Sequence, residues 1–447
     1  MSEKYDVIIV GGGPAGIFAA LEITRQADVR VLLVEKGEDI DRRSNLVCGL
    51  GGAGAYSDGK LTLAPQVGGN LGEYLGEADT RSLIEYVDKV YLDYGAPQRL
   101  YGAGDGIESI GRSASRAGLR LIPVPIRHMG TERCRSVLRA MRDDLIPRLD
   151  LKTETPVASV AVEGGRVGGV ETVGGERYEC DYLILAPGRE GADWLLAQAE
   201  LLGLTVHNNP VDVGVRVEVP AAVMEELTGV LYEAKLEFFS RSFDDRIRTF
   251  CMCPTGEVTM EYTGGVEPII TVNGHSYADY KSDNTNFALL VSTDFTEPFR
   301  EPIAYGKYLA RLANILGGGV LVQRLGDLME GRRSTESRIR RGIVRPTLKE
   351  ATPGDLSFVL PYRHLTGILE MVQALDKMAP GVAGRHTLLY GIEVKFYSFR
   401  PQLSPVLEAE VGNIFMAGDG AGVSRSLVQA SASGVVAARE VLKRIGD

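Results

Sequence analysis

Three glycines near the start of the chain have the spacing of a dinucleotide-binding turn. The motif Gly11-x-Gly13-x-x-Gly16 lies between two apolar runs, residues 5–10 and 29–34, which predict buried parallel strands. The first glycine permits the tight turn, the second lets the backbone approach a pyrophosphate, and the third lets a helix pack closely on the strand. The start of that helix would direct its N–H groups and its positive dipole end at the phosphates.

A carboxylate closes this unit. Glu35 follows the second apolar run, 19 residues after Gly16, where it can accept hydrogen bonds from ribose hydroxyls. Its charge also repels a 2′-phosphate, so we do not expect NADP in this site. We expect three neighbouring residues to contribute to the same site: Pro14, Ala15 and Lys36. The pattern leaves FAD and NAD as alternative ligands, and a glycine turn in an unrelated α/β protein has the same spacing.

Two later segments favour FAD. Residues 181–188, Asp-Tyr-Leu-Ile-Leu-Ala-Pro-Gly, resemble the strand and turn that flavoproteins of the glutathione-reductase type place beside FAD, although Pro187 replaces the usual threonine. Residues 412–420 resemble the C-terminal Gly-Asp motif of the same superfamily, in which the aspartate binds the ribityl chain. This resemblance implies four further cofactor-binding residues: Gly188, Gly418, Asp419 and Gly420.

The order of segments resembles a bacterial family of FAD-dependent dehydrogenases, also described as NAD(P)/FAD-dependent oxidoreductases. The resemblance extends over nearly the whole chain and is carried by residues 48–60, 249–254, 273–277, 389–397 and 418–422. It implies FAD as the cofactor and names no substrate. The glycine-rich loop at 49–60 resembles the loop that in related flavoproteins follows the ribityl chain to the ring, which implies a contact from Gly52.

Four side chains are candidates for catalysis. Lys60, at the end of the glycine-rich loop, would favour the anionic reduced flavin if it lies near the ring; a surface lysine is the alternative. His275, in Asn-Gly-His-Ser-Tyr, is predicted in a polar loop and is the best candidate for a general acid or a substrate contact. Tyr277 and Lys395 are weaker candidates on the same reasoning.

Two cysteines invite a redox or metal interpretation that the spacing disfavours. Cys251 and Cys253 flank Met252 on a predicted strand, which directs both thiols to one face. Residues two apart in an extended strand are about 6.6 Å apart at Cα, near the upper limit for a disulfide. A zinc site with His275 would lack a fourth ligand. We therefore expect a packed strand, and we predict no metal site.

These residues are expected in two domains. We predict an α/β fold, with a Rossmann-like, discontinuous FAD-binding domain of glutathione-reductase type at residues 1–204 and 398–447, and an inserted α+β substrate domain at 205–397. Within the first domain, residues 157–162, 166–172 and 178–185 predict a three-stranded meander covering one face of the sheet. A strand at 413–417 and a helix at 427–443 return the chain to this domain.

Composition restricts the partners and the compartment. A net charge of −10 over 447 residues argues against nucleic acid or an anionic membrane as a partner. Residues 332–349 are the exception, with seven basic residues and one acid; NADPH phosphates, a carboxylated substrate, an acidic electron-transfer protein or solvent would suit them. Five cysteines agree with a reducing compartment, and the start of the chain lacks a signal-peptide pattern, so we expect a cytoplasmic location.

The sequence thus predicts an FAD-dependent oxidoreductase that transfers hydride between flavin N5 and a small-molecule substrate. Since no second glycine motif follows a strand, electrons would come from NAD(P)H bound transiently or from a protein donor. Two alternatives stay open. One is a flavin monooxygenase using NAD(P)H, although the mid-chain Asp-Gly motif of those enzymes is missing. The other is a non-catalytic or RNA-modification-associated FAD protein, against which the acidic charge argues. The oligomeric state is open.

Overall fold

A computed structural model describes residues 3–44, 48–56, 59–104, 106–207, 209–263, 268–277, 280–293, 301–395 and 399–446. Its strands are β1 (Glu3–Val10), β2 (Val31–Val34), β3 (Lys60–Thr62), β4 (Arg120–Ile122), β5 (Ile126–His128), β6 (Asp150–Lys152), β7 (Val157–Glu163), β8 (Arg166–Thr172), β9 (Arg177–Leu185), β10 (Val206–His207), β11 (Val211–Pro220), β12 (Lys235–Phe239), β13 (Arg246–Cys253), β14 (Glu257–Thr263), β15 (Ile269–His275), β16 (Asn284–Thr293), β17 (Leu321–Arg324), β18 (Thr352–Pro353), β19 (Leu388–Lys395), β20 (Arg400–Pro401) and β21 (Ile414–Met416).

The helices are α1 (Pro14–Gln26), α2 (Leu71–Leu75), α3 (Glu77–Asp93), α4 (Ile107–Ala117), α5 (Thr131–Leu145), α6 (Ala192–Leu201), α7 (Ala221–Leu231), α8 (Pro302–Gly317), α9 (Leu325–Met329), α10 (Glu336–Arg340), α11 (Tyr362–Asp376) and α12 (Leu427–Gly446). Short 3₁₀ helices lie at Gly52–Tyr56, Leu356–Phe358 and Asp419–Ala421. None of the described helices has the length and apolar character needed to cross a bilayer.

The chain divides into two compact units. The first unit comprises Met1–Arg99, Arg127–Asn209 and Ser398–Asp447, and the second comprises Leu100–Ile126 and Pro210–Tyr397. The sequence placed residues 100–126 in the first domain, and this is wrong: β4 pairs antiparallel with β12 and so joins the sheet of the second unit. The boundary predicted at 204 lies at 209, because β10 pairs with β20 of the first unit.

The first unit contains a mostly parallel sheet in the order β6-β2-β1-β9, with β21 also paired to β9. The strands are buried on both faces, which explains their continuous apolar sequences. Pairing aligns the last residues of four strands: Val10 with Val34 and with Leu185, and Leu185 with Met416. The residues that follow these strands therefore lie along one edge of the sheet, where parallel α/β sheets bind their ligands.

The predicted meander forms, but its position differs from the expectation. β7, β8 and β9 pair antiparallel in sequence order, yet β9 also pairs in parallel with β1 inside the main sheet. The meander therefore extends the sheet and does not cover one of its faces. The apolar sequence of β9 near Leu185 is the reason, since its carboxyl half is buried among the parallel strands.

The second unit is built on an eight-stranded sheet in the order β18-β17-β19-β11-β16-β13-β12-β4. Its pairs are antiparallel except for β17 with β18, and β14 pairs with β15 as a separate hairpin. The central strand β11 alternates apolar and polar residues, and both of its faces are buried. The valines of one face pack in the core of the unit with α7, α8 and α11. The polar face carries Asp212, Arg216 and Glu218.

Candidate functional site

Two of the three motif glycines in the first unit are required by packing. Gly11 has φ +108°, and a Cβ on it would lie 2.1 Å from the carbonyl oxygen of Ala186. A Cβ on Gly16 would lie 1.9 Å from the carbonyl oxygen of Gly11. The turn and the start of α1 are therefore closed against the neighbouring backbone, in the roles that the sequence predicts for the first and third glycines.

Gly13 differs from both neighbours because open space lies beside it. The nearest atom to a Cβ built there is the Cα of Gly52, at 3.9 Å. α1 begins at Pro14 with no side-chain cap, so the N–H groups that follow, from Ala15 and Gly16, lie at an open helix start. Such a start provides donors and positive dipole for a phosphate. A Cβ at position 13 would occupy the space in which such a phosphate would lie.

Glu35 is held beside this turn by backbone donors. Its side chain is 6% exposed; Oε2 accepts a hydrogen bond from the N–H of Gly12 at 2.8 Å, and Oε1 from the N–H of Gly37 at 2.9 Å. Each carboxylate oxygen has a further lone pair for a hydroxyl donor. Lys36, by contrast, forms an ion pair with Glu190 at 3.7 Å and is 40% exposed.

A loop stabilised by a buried arginine lies against the turn. The N–H of Gly51 donates to the carbonyl oxygen of Gly12 at 2.7 Å, and Gly52 has φ +58°. Arg43 donates from Nη1 to the carbonyl oxygens of Gly49, Leu50 and Gly52, at 3.2, 2.8 and 2.8 Å. Arg43 is not predicted from the sequence, because no motif spacing marks an arginine that binds carbonyl groups. Lys60 begins β3 and is half-buried.

Asp419 lies at the same edge, in the turn after β21. Its Oδ1 accepts a hydrogen bond from Ser424 Oγ at 2.6 Å, and Oδ2 lies 3.5 Å from Nε of Arg189. The side chain is 21% exposed. Burial raises the pKa of Asp419 above its usual range, while Arg189 and Ser424 act in the opposite direction.

The two later motifs meet each other and the glycine turn. A Cβ on Gly420 would lie 2.4 Å from the carbonyl oxygen of Gly188, and a Cβ on Gly418 would lie 3.2 Å from the Cβ of Ala15. Gly418 also donates its N–H to Ser433 Oγ of α12 at 2.9 Å. The structure thus brings together segments that are more than 400 residues apart in the sequence. Their donor set, with an open phosphate cradle and two carboxylates, fits a dinucleotide cofactor such as FAD.

In the second unit, the polar face of β11 forms a buried ionic network. Arg216, which is 0% exposed, donates to both carboxylate oxygens of Glu393 at 2.8 and 2.9 Å. It also donates to Asn286 Oδ1 at 2.7 Å and to the carbonyl oxygen of Cys251 at 3.1 Å. The alternating sequence of β11 resembles a strand with one face in solvent, so the sequence does not predict the burial of Arg216.

Lys395 belongs to this network. Its Nζ lies 3.3 Å from Glu393 and 3.4 Å from Glu261 of the β14–β15 hairpin, and the side chain is 13% exposed. Burial alone would lower the pKa of Lys395, but the charges of Glu261 and Glu393 outweigh it and raise the pKa. The ammonium group is therefore held in its charged form, which suits binding an anion better than donating a proton.

The sequence predicts His275 in a polar loop, and this prediction is wrong. His275 is the last residue of β15 and pairs with Glu257 in the hairpin, because the alternation of Ile269–His275 suits a half-buried strand. Its ring is stacked near that of Tyr277, with centroids 6.4 Å apart, and Tyr277 meets Tyr280 edge to face. The structure therefore brings two catalytic candidates of the second unit together.

The strand predicted at Cys251 and Cys253 forms as the end of β13, but it is not regularly extended there. Cys251 has φ +43°, and the pairing of β13 with β16 shifts register between Phe250 and Cys253. This bulge brings the two Sγ atoms to 4.0 Å. Among the residues that the structure describes, no group of three or more His, Cys, Asp and Glu side chains has a metal-binding arrangement.

The basic segment at 332–349 is partly neutralised by nearby acids. Arg332 pairs with the buried Asp327 at 3.0 Å and with Glu330 at 2.5 Å. Burial alone would raise the pKa of Asp327, but hydrogen bonds from Arg324, Ser334 and Arg332 outweigh it and lower the pKa. Several other basic side chains of the segment are exposed: Arg333, Arg340, Arg341, Arg345 and Lys349.

Comparison with known families matches two parts of the chain. Residues 6–67 match the family described as "FAD binding domain", and residues 210–396 match "FAD-dependent protein, C-terminal domain-like". The first range contains the glycine turn, Glu35 and the loop at 49–56. The second covers most of the second unit. Residues 57–58 and 396–397, parts of the segments that carry the sequence resemblance, lie outside the described residues.

Individual proteins similar to this chain were also found. An uncharacterized protein of Clostridium beijerinckii is 28% identical over 489 residues, covering 99% of this chain and 81% of that protein. Glycine oxidase from Geobacillus kaustophilus is similar with a TM-score of 0.44 and 13% identity, covering 99% of this chain and 95% of the other. L-Proline dehydrogenase from P. horikoshii has a TM-score of 0.45 and 11% identity, with the same coverage. These activities are those of the other proteins.

The glycine turn and Glu35 lie inside the matched FAD-binding range, and the FAD prediction is confirmed at that level. Residues 6–67 match an FAD-binding domain, and residues 210–396 match the C-terminal domain of FAD-dependent proteins.

Proposed function

We propose that this protein is an FAD-dependent dehydrogenase or reductase that acts on a small molecule. The observation that carries the proposal is the open space beside Gly13, at the start of a helix without a side-chain cap. Gly11 and Gly16 of the same turn are closed by backbone contacts, so the open space lies only where a pyrophosphate would pass. A bound flavin supplies hydride acceptance or donation at N5.

Each part of the cofactor has residues suited to hold it. N–H groups of Ala15 and Gly16 would bind the pyrophosphate, and the carboxylate of Glu35, already oriented by Gly12 and Gly37, would bind the adenosine ribose. Asp419 would accept hydrogen bonds from the ribityl chain. Arg43 is a positioning residue, since it holds the loop that lies on the glycine turn.

We propose His275 as the general acid or base, with Tyr277 beside it. The two aromatic rings are stacked near one another, so Tyr277 would fix the orientation of the imidazole. Replacing His275 with alanine should slow turnover while the flavin content is retained. Tyr277→Phe keeps the ring and serves as the matched control, and we expect a smaller loss of turnover from it.

The electron supply is proposed to be either NAD(P)H bound transiently or a protein donor. The exposed basic residues between Arg333 and Lys349 suit the phosphates of NADPH or an acidic protein. We expect the protein to work in the cytoplasm, since five cysteines in 447 residues suit a reducing compartment.

Stopped-flow reduction tests these proposals directly. The purified holoenzyme is mixed anaerobically with NADH and with NADPH, and loss of flavin absorbance is followed. Rapid reduction by one of them supports nicotinamide as the donor, and metabolite screening for reoxidation then identifies the substrate. Reduction by neither nucleotide but by a reduced acidic electron-transfer protein supports a protein donor. A flavin inert to every donor and to photoreduction contradicts the enzyme proposed. Rapid NADPH oxidation with a hydroxylated product would indicate a monooxygenase.

A further inference from the structure

The β-bulge at Cys251 brings two thiols into mutual contact. In a regular strand the side chains of residues two apart lie too far apart for easy bridging. Here Cys251 adopts φ +43°, and the pairing of β13 with β16 shifts register between Phe250 and Cys253. The Sγ atoms are consequently 4.0 Å apart. A non-glycine residue in this backbone region is uncommon, and such residues concentrate at functional sites.

The bulge is held in place by the buried ionic network. Nη1 of Arg216 donates to the carbonyl oxygen of Cys251 at 3.1 Å, and the same oxygen accepts from Cys253 Sγ at 3.5 Å. Arg216 is itself fixed by two hydrogen bonds to Glu393. The geometry that brings the thiols together is therefore imposed by the tertiary structure, since these partners are far apart in the sequence.

The charges around the pair suit a thiolate at Cys251. Arg216 and Lys395 both interact electrostatically with Cys251. The acids Glu393 and Glu261 share these cations, so Cys251 lies in a field of paired charges that includes two cations. Cations beside a cysteine favour the thiolate, which is the nucleophile in disulfide exchange.

Solvent exposure differs between the two cysteines, and this difference assigns the first attack to one and the second attack to the other. Cys251 is half-buried, whereas Cys253 is buried. A small disulfide in solvent can therefore reach Cys251 first, and Cys253 is placed to attack the sulfur of Cys251. Burial, with Asp181 adding to it, raises the pKa of Cys180 to about 12, and burial with the charge of Glu35 raises that of Cys48.

We propose that Cys251 and Cys253 form a redox-active dithiol that exchanges with low-molecular-weight disulfides. The Cys251 thiolate attacks one sulfur of the small disulfide, forms a mixed disulfide and releases one small thiolate. Cys253, on losing its proton, attacks Sγ of Cys251 and releases the second. The protein loses two electrons and two protons to become the disulfide, and the small disulfide is reduced to two thiols. Excess small thiol reverses both steps.

Mass spectrometry of the holoenzyme tests this proposal. The protein is equilibrated with glutathione and glutathione disulfide at a series of ratios, quenched with acid, denatured and alkylated with N-ethylmaleimide. Trypsin cleaves after Arg248 and Lys281, so both cysteines fall in one peptide without another cysteine, residues 249–281. We expect this peptide to change from two maleimides to none, two hydrogens lighter than the free dithiol, as the glutathione disulfide fraction rises.

Internal controls and one variant make the result decisive. The peptides of the buried Cys134 and Cys180 should carry one maleimide at every ratio. In Cys253→Ser holoenzyme, with its flavin content checked, we expect glutathione to remain attached to Cys251. Two maleimides on the wild-type 249–281 peptide at every ratio would overturn the proposal. So would glutathione adducts with no internal disulfide. The wild-type measurement decides the proposal by itself, so the test remains valid even if the Cys253→Ser variant does not fold.

Discussion

The site of the first unit is formed mainly by backbone groups, whereas the buried polar face of the second unit is formed by charged side chains. Around Gly13, the contacts are N–H groups, carbonyl oxygens and open space. Around Arg216, they are the carboxylate of Glu393, an amide and a carbonyl oxygen, and the ammonium group of Lys395 lies against the same carboxylate. A backbone cradle needs small residues at fixed local spacing, while an ionic network needs only that distant strands lie side by side. Substitutions should therefore affect binding in the first unit and stability in the second.

The largest expected effect is loss of stability on breaking the Arg216 network. Arg216→Met leaves Glu393 buried beside Lys395 alone, and removing one partner of a buried ion pair typically costs about 3–5 kcal/mol. We expect a loss of that size in the free energy of unfolding, measured with urea and circular dichroism. The double variant Arg216→Met with Glu393→Met should lose less than the single variant. Equal losses would mean that the pair is not the source of the effect.

The contrast between neighbouring glycines gives the next effect. Gly13→Ala should weaken FAD binding at least about a hundredfold, or ~2.7 kcal/mol, because its Cβ enters the phosphate cradle. Stability of the apoprotein should change little, since the nearest atom beyond the adjacent residues, the Cα of Gly52, lies 3.9 Å from that Cβ. Gly16→Ala is the matched control, and its clash with Gly11 should destabilise the apoprotein by about 1–3 kcal/mol. Full flavin absorbance in purified Gly13→Ala protein would contradict the cradle.

Asp419 tests the side-chain part of the first site. Asp419→Ala removes a charged acceptor and should weaken FAD binding about tenfold, near 1.5 kcal/mol. Fluorescence titration of apoprotein with FAD measures the dissociation constant. Ser424→Ala removes only the hydroxyl that donates to Asp419 and should have a smaller effect. An unchanged dissociation constant in Asp419→Ala would show that another residue binds the ribityl chain.

The smallest effect is a pH dependence of the apoprotein. Because burial raises the pKa of Asp419 above the unfolded value of 3.8, the folded state binds the proton more tightly. The stability cost is absent below pH 3.8, grows as the pH rises through the folded pKa and is complete above it. Asp419→Asn apoprotein should therefore be more stable than wild type at neutral pH. The two unfolding curves should converge in acid, and a gain that persists at pH 3 would assign the effect to something else.

The sequence predicted best where function depends on neighbours along the chain. The glycine turn, the strands on either side of it, the helix from Pro14 and the carboxylate at Glu35 follow from local spacing, because a tight turn and a close helix leave few residue types possible. Gly188 and Asp419 were found through their resemblance to flavoproteins, since each follows a strand that ends at the same sheet edge.

Only the tertiary structure decided what the second unit contains. Alternation along β11 predicts one face in solvent, but the β14–β15 hairpin places Glu261 over that face and buries Arg216 and Lys395. Spacing predicts that Cys251 and Cys253 are held apart, but a bulge set by Arg216 brings them together. Local sequence determines the backbone cradle of the first unit; strand pairing between distant residues determines the charges and thiols of the second.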